Sequence, residues 1–109
     1  MSHTLADMAT RTQAARLLVY DAARAYDEGR TSDITRLAAM AKVYATETAG
    51  FVVDAAVQIL GARALVAGHP LEHLYREVRA PRIYEGTSEI QRTIIARALL
   101  RTEAPPEGP

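Results

Sequence analysis

The feature that most constrains this chain is the stretch from about Asp33 to Leu60. Within it Ile34, Leu37, Ala41, Tyr44, Thr48, Phe51, Ala55 and Ile59 recur at steps of three or four. That spacing is the period of an amphipathic helix. At 1.5 Å per residue such a helix would run roughly 42 Å. Leu5 to about Asp27 repeats the pattern through Leu5, Met8, Thr12, Ala15, Val19, Ala22 and Tyr26. Gly29 then suits the position just past a helix end, and Thr31-Ser32-Asp33 offers caps for the next start. Two long apolar stripes cannot hide on one another alone. Further helices, or other subunits, must complete the core.

The remaining chain supplies the helices. Gly61, Gly68 and Pro70 bracket Ala62 to Ala67, which reads either as a loop with one apolar turn or as a frayed helix end. Pro70 to Arg79 reads as a short third helix with proline at its first position. A fourth runs from Ser88 to Arg101, with Ile90, Ile94, Ile95, Ala98 and Leu99 expected on its inward side. The expectation is an all-α, antiparallel up-down four-helix bundle over residues 1–101. Residues 102–109, with three prolines, are expected to form a disordered tail.

Composition removes several function classes. The 109 residues are enough for one small domain, and the zero net charge implies no nucleic-acid partner. No cysteine is present, so disulfides and thiol metal sites are excluded, which suits a cytoplasmic protein. No uninterrupted apolar run approaches about 18 residues, so no membrane span is expected. Met1 to Thr4 lacks the basic-then-apolar pattern of a signal peptide. His69 and His73 have metal-ligand spacing, but Pro70 puts His69 outside the helix and no third ligand is spaced to join them. No metal is expected.

The chemistry concentrates in Arg82 to Arg92. Pro81 and Gly86 both disfavour a helix around Glu85, so that carboxylate should sit on a short turn. Thr87 and Ser88 are good N-cap residues, and Ser88 to Gln91 matches a capping box. A helix start of this kind offers free backbone N–H groups and a positive dipole end to an anion.

Ile83 to Arg92 resembles the catalytic loop and following helix of acyl-CoA dehydrogenases. Ala6 to Arg11 and Ala14 to Leu18 are similar to the first helix of that family's C-terminal domain. Val57 to Gly61 and Leu74 to Glu77 fall in the family's order between them. The resemblance extends from about Leu5 to Arg101 and covers about the last third of such an enzyme. It implies that Glu85 is the base removing a proton beside an acyl-CoA thioester, with hydride passing to FAD. Tyr84 and Gly86 would line the substrate, although aromatic packing and a turn needing positive φ account for them equally well. Thr87 and Glu89 match positions that approach the flavin dinucleotide, and capping alone would also explain Thr87. Gln58 and Gly61 match the stretch by which one subunit touches its neighbour's FAD. Here the second glycine of that stretch is Ala62, and the usual aromatic is missing from Arg63-Ala64-Leu65. Arg76 and Glu77 resemble an Arg-Asp pair and read best as a structural ion pair.

The family's N-terminal helical domain and middle β-domain have no counterpart in these residues. The resemblance therefore implies a C-terminal domain, inactive alone, that works within a homo-oligomer (a dimer or tetramer) or beside the missing domains. The alternatives are a non-catalytic assembly module and one subunit of a split flavoenzyme.

Overall fold

The structure, a computed structural model, describes residues 1–84 and 86–103. Its helices are α1 (Ser2–Asp27), α2 (Thr31–Leu60), α3 (Pro70–Glu77) and α4 (Ser88–Glu103), with 3₁₀ turns at Gly61–Leu65 and Ala80–Arg82. The expected all-α bundle is present. Glu85 and residues 104–109 lie outside the described residues. Of the tail expected at 102–109, Thr102 and Glu103 continue α4.

The link between α1 and α2 is three residues long. Gly29, at φ +70°, donates its N–H to Tyr26 O, and Arg30 N donates to Ala25 O at 2.9 Å. This pair of bonds is a Schellman motif, and glycine meets its left-handed position without a Cβ penalty. The Arg30 guanidinium lies 3.1 Å from Glu28 and 3.7 Å from both Asp21 and Asp33. Because the turn is so short, α2 starts at Thr31, and Thr31-Ser32-Asp33 forms its first turn instead of preceding it.

α1 and α4 each pack along α2, and alanine decides how. Ala15, Ala25, Leu37, Ala39, Ala41, Val53, Ala55 and Ala64 are the buried apolar residues, with Ala25 and Ala64 at 0% exposure. No larger side chain among the described residues is wholly buried. The inward face of α1 is Thr4, Met8, Ala15, Leu18, Ala22 and Ala25. Leu5, Thr12, Val19 and Tyr26, expected on that face, point outward, and Tyr26 is 73% exposed. Small residues let two helix backbones approach closely, and larger neighbours are then turned out. In α4 the inward residues are Ser88, Gln91, Ile94, Ile95 and Ala98. Ile90 and Leu99, expected inside, are half exposed.

α2 together with the 3₁₀ turn after it, Thr31–Leu65, is long and apolar enough to cross a membrane by length and hydropathy alone. In this fold the segment is the central helix, flanked by α1 and α4. α3 begins as expected with Pro70 in its first turn, and the His69 imidazole accepts a hydrogen bond from Leu71 N at 3.1 Å. It ends at Glu77, two residues earlier than Arg79.

Leu37, at 6% exposure, is the large side chain most committed to the core. Leu37→Ala is expected to cost about 2–5 kcal/mol of unfolding free energy. Tyr26→Ala should stay within about 0.5 kcal/mol. Urea unfolding of the two variants at low protein concentration checks both.

Candidate functional site

The turn between α3 and α4 is built backward from its proline. Pro81 lies in the 3₁₀ turn Ala80–Arg82, and the N–H groups of Ile83 and Tyr84 both donate to Ala80 O, at 2.9 and 3.0 Å. Gly86 follows at φ +99°, where a Cβ would lie 2.6 Å from Gln91 Nε2. The backbone angle calls for glycine there, and a Cβ would also crowd the end of the Gln91 side chain. Thr87 then caps α4: its Oγ1 accepts from Ile90 N at 3.2 Å, and its carbonyl accepts from Gln91 N at 3.0 Å.

The N-cap is therefore Thr87, one residue before Ser88, and Ile90 at the third helical position has no polar side chain to complete a capping box. Ser88 lies inside the first turn at 6% exposure, and its hydroxyl has no hydrogen-bond partner among the described residues. Gln91, expected to complete the box, instead packs under Gly86.

Two side chains of α2 hold this region from below. Lys42 Nζ donates to Tyr84 O at 2.7 Å and also to Gly86 O. Five residues further on, the Glu47 carboxylate lies 2.8 Å from Arg92 of α4. Lys42 was not legible as a site residue. Its one sequence signal is that it is the chain's single lysine.

The structure brings together Tyr84, Gly86, Thr87 and Glu89 and leaves Gln58 and Gly61 apart. Thr87 and Glu89 line a cavity of about 210 Å³ with Arg79, Arg82, Ile83 and Ser88. The Arg82 Nε is buried there and also lacks a partner among the described residues. Tyr84 is exposed. Gln58 sits exposed near the C-terminal end of α2, sixteen residues beyond Lys42. That is about 24 Å along the helix. Gly61 terminates the helix at φ +75° with open space where a Cβ would stand. Glu85, the expected base, lies outside the described residues.

A larger cleft of about 760 Å³ opens beside the turn, lined in part by Arg11, Phe51, Asp54, Tyr75, Arg79 and Arg82. Arg11 stacks 3.9 Å from the Phe51 ring centroid. Tyr75 donates its hydroxyl to Asp54 at 3.1 Å, and that bond, with the nearby carboxylate charge, raises the phenol above its ordinary pKa. The pairings expected elsewhere rearrange. Arg76 meets Glu72 at 3.1 Å, and Glu77 meets His73 at 2.8 Å, each one helical turn away. Adjacent residues on a helix do not face each other, so the Arg76–Glu77 pair does not form.

The model of the acyl-CoA dehydrogenase C-terminal domain matches residues 1–100. The chain belongs to that family. The mitochondrial short-chain specific acyl-CoA dehydrogenase of Rattus norvegicus is 47% identical over 98 residues, which is 90% of this chain and 23% of the relative. Cyclohexane-1-carbonyl-CoA dehydrogenase of Geobacter metallireducens is 38% identical over 100 residues, 92% of this chain and 26% of the relative. A chain solved in work on the electron transferring flavoprotein of Acidaminococcus fermentans superposes with a TM-score of 0.86 at 42% identity. That match covers 92% of this chain and 26% of the solved one. The chain thus spans about a quarter of the length of the relatives it matches.

The capping assignment has a direct consequence. Thr87→Ala should cost about 1 kcal/mol, the usual loss for an N-cap. Ser88→Ala should be neutral or slightly stabilising, because it removes a buried hydroxyl with no partner. Thermal unfolding of the two variants distinguishes them. A capping box on Ser88 would reverse the order.

Proposed function

We propose that this chain is the C-terminal domain of an FAD-dependent acyl-CoA dehydrogenase, with Glu85 as the base that takes the proton beside the thioester carbonyl. The observation that carries the reading is the turn itself. Ile83-Tyr84-Glu85-Gly86-Thr87 precedes the N-terminus of α4, and the carbonyls on both sides of position 85 are tied to α2. A base must be held at a defined place over the carbon it deprotonates, and a tethered turn meets that need. Tyr84 and the small Gly86 would border the acyl thioester.

The chain's own residues fit part of a flavin dinucleotide. The first turn of α4 offers N–H groups and a positive dipole end to a diphosphate. Arg79 and Arg82 line the same cavity as Thr87 and Glu89, and their positive charge supports that use. When bound, FAD supplies the hydride acceptor. Gln58 and Gly61, about 24 Å along α2, would serve a different flavin from the one at Thr87 and Glu89, as expected of a subunit that reaches a neighbour's cofactor. Ala62 follows Gly61 with an added methyl, which narrows the close approach available there.

Surface composition supports a partner. Leu5, Leu17, Tyr20, Leu99 and Leu100 are at least half exposed, a load of apolar surface suited to contact with further domains or subunits. We therefore read the isolated chain as inactive, and as a contributor of Glu85 once joined to a flavin-binding partner or to copies of itself. A split flavoenzyme, with this chain as one subunit, is favoured over a purely structural assembly module by the intact Glu85 motif. A cytoplasmic location accords with the cysteine-free composition.

An absorbance spectrum of the purified chain, with its solution mass, should show no flavin bands. Dye-linked oxidation of an acyl-CoA by the chain alone would overturn the inactive reading. Assembled with a flavin-binding partner, the unaltered chain should support oxidation, and Glu85→Gln should lower kcat by roughly 10²- to 10⁴-fold, the usual contribution of a general base. Retained activity in Glu85→Gln would remove Glu85 from the proposed role.

A further inference from the structure

We infer that Lys42 is the positioning residue of the 83–87 turn: its ammonium, reaching up from the middle of α2, fixes the backbone on both sides of position 85. This deepens the function proposed above and rests on it only for what the turn does. The contacts stand independently. Nζ donates to the carbonyls of Tyr84 and Gly86, 42 and 44 residues away in sequence.

Residue type supports the assignment. The chain has a single lysine against twelve arginines. An arginine presents a planar fork that matches paired carboxylate or phosphate oxygens, whereas an ammonium is a compact point charge with three donors that can be aimed separately. Two carbonyls converging from a tight turn call for the second geometry. Lys42 is half-buried on α2, so its stem packs within the bundle while the charge reaches the turn.

The surrounding contacts divide the labour. Ala80 O accepts from Ile83 and Tyr84 on the upstream side, and Thr87 caps α4 on the downstream side. The Glu47–Arg92 pair anchors α4 to α2 beyond the turn. Gln91 fills the space under Gly86. Each of these acts at an edge of the turn or beneath it. Lys42 spans the middle, and it joins the turn to the central helix instead of to the flanking elements.

The test reads the turn directly, without flavin or acyl-CoA, so it can fail while the dehydrogenase reading survives, and the reverse. Amide hydrogen exchange is followed in the unaltered chain, Lys42→Met and Lys42→Arg. Lys42→Met should speed exchange at Ile83 and Tyr84 by roughly ten- to a hundred-fold, the loss expected for a hydrogen bond to a charged group. Amides in the centre of α1 should be unchanged. Lys42→Arg, which keeps the charge but presents its donors as a planar fork, should recover only part of the protection. Unchanged exchange at Ile83 and Tyr84 in Lys42→Met overturns the inference, and an arginine variant that protects them as fully as lysine overturns the assignment to an ammonium's geometry.

A measurement on the unaltered chain covers the case in which Lys42→Met loosens the whole bundle. Lysine-specific isotope labelling gives one side-chain signal, because Lys42 is the only lysine. Its ε-methylene protons should show through-space contacts to the Gly86 α-protons. Their absence in the folded chain overturns the inference equally.

Discussion

α2 must serve α1, α4 and α3 at the same time, and the rest of the structure depends on how closely they can approach it. Its buried positions Ala39, Ala41 and Ala55 carry almost no side chain, so neighbouring backbones can lie near its axis. Close approach buries backbone and methyl surface instead of large apolar groups. The result is a bundle held by many small contacts, with Leu37 and Val53 the bulkiest apolar members of its buried set. It also leaves large side chains on the outside, in keeping with a domain that meets other parts of an enzyme.

The same helix organises the chemistry. Lys42, Glu47 and Asp54 stand at successive levels of α2 and reach respectively the 83–87 turn, α4 and α3. These three polar side chains of α2 are thus each committed to a different neighbour. The candidate site is a product of that alignment. Without α2 beneath it, the segment from Ala80 to Thr87 is two short local turns around a glycine with little to fix their relative orientation.

Helix spans were largely legible in the sequence because periodicity and punctuation report them directly. Gly29, Gly61, Pro70 and the Thr87-Ser88 pair mark ends that the structure keeps to within about two residues. Which face turned inward was less legible. Leu5, Thr12, Val19 and Tyr26 recur every seven residues and look like a core stripe, yet α1 packs through Ala15 and Ala25. Hydrophobicity alone ranks tyrosine or leucine above alanine, yet the most deeply buried positions of α1 are alanines. The choice between the two candidate caps was not legible for a related reason, since Thr87 and Ser88 are both good caps and only the geometry after Gly86 selects Thr87. Lys42 was invisible in a different way: its partners are backbone carbonyls more than forty residues away, and carbonyls have no sequence signature.

The three-residue Schellman link between α1 and α2 bears on the order of events in folding. Contacts across so short a turn close a small loop, so the α1–α2 hairpin can form early at little entropic cost. α4 and the turn before it must instead find α2 across the intervening forty or so residues, which is slower and comes later. The segment bearing Glu85 is therefore expected to assemble after that hairpin, on a surface the first two helices supply. The hairpin is a template, and the site is written onto it only after that template has set.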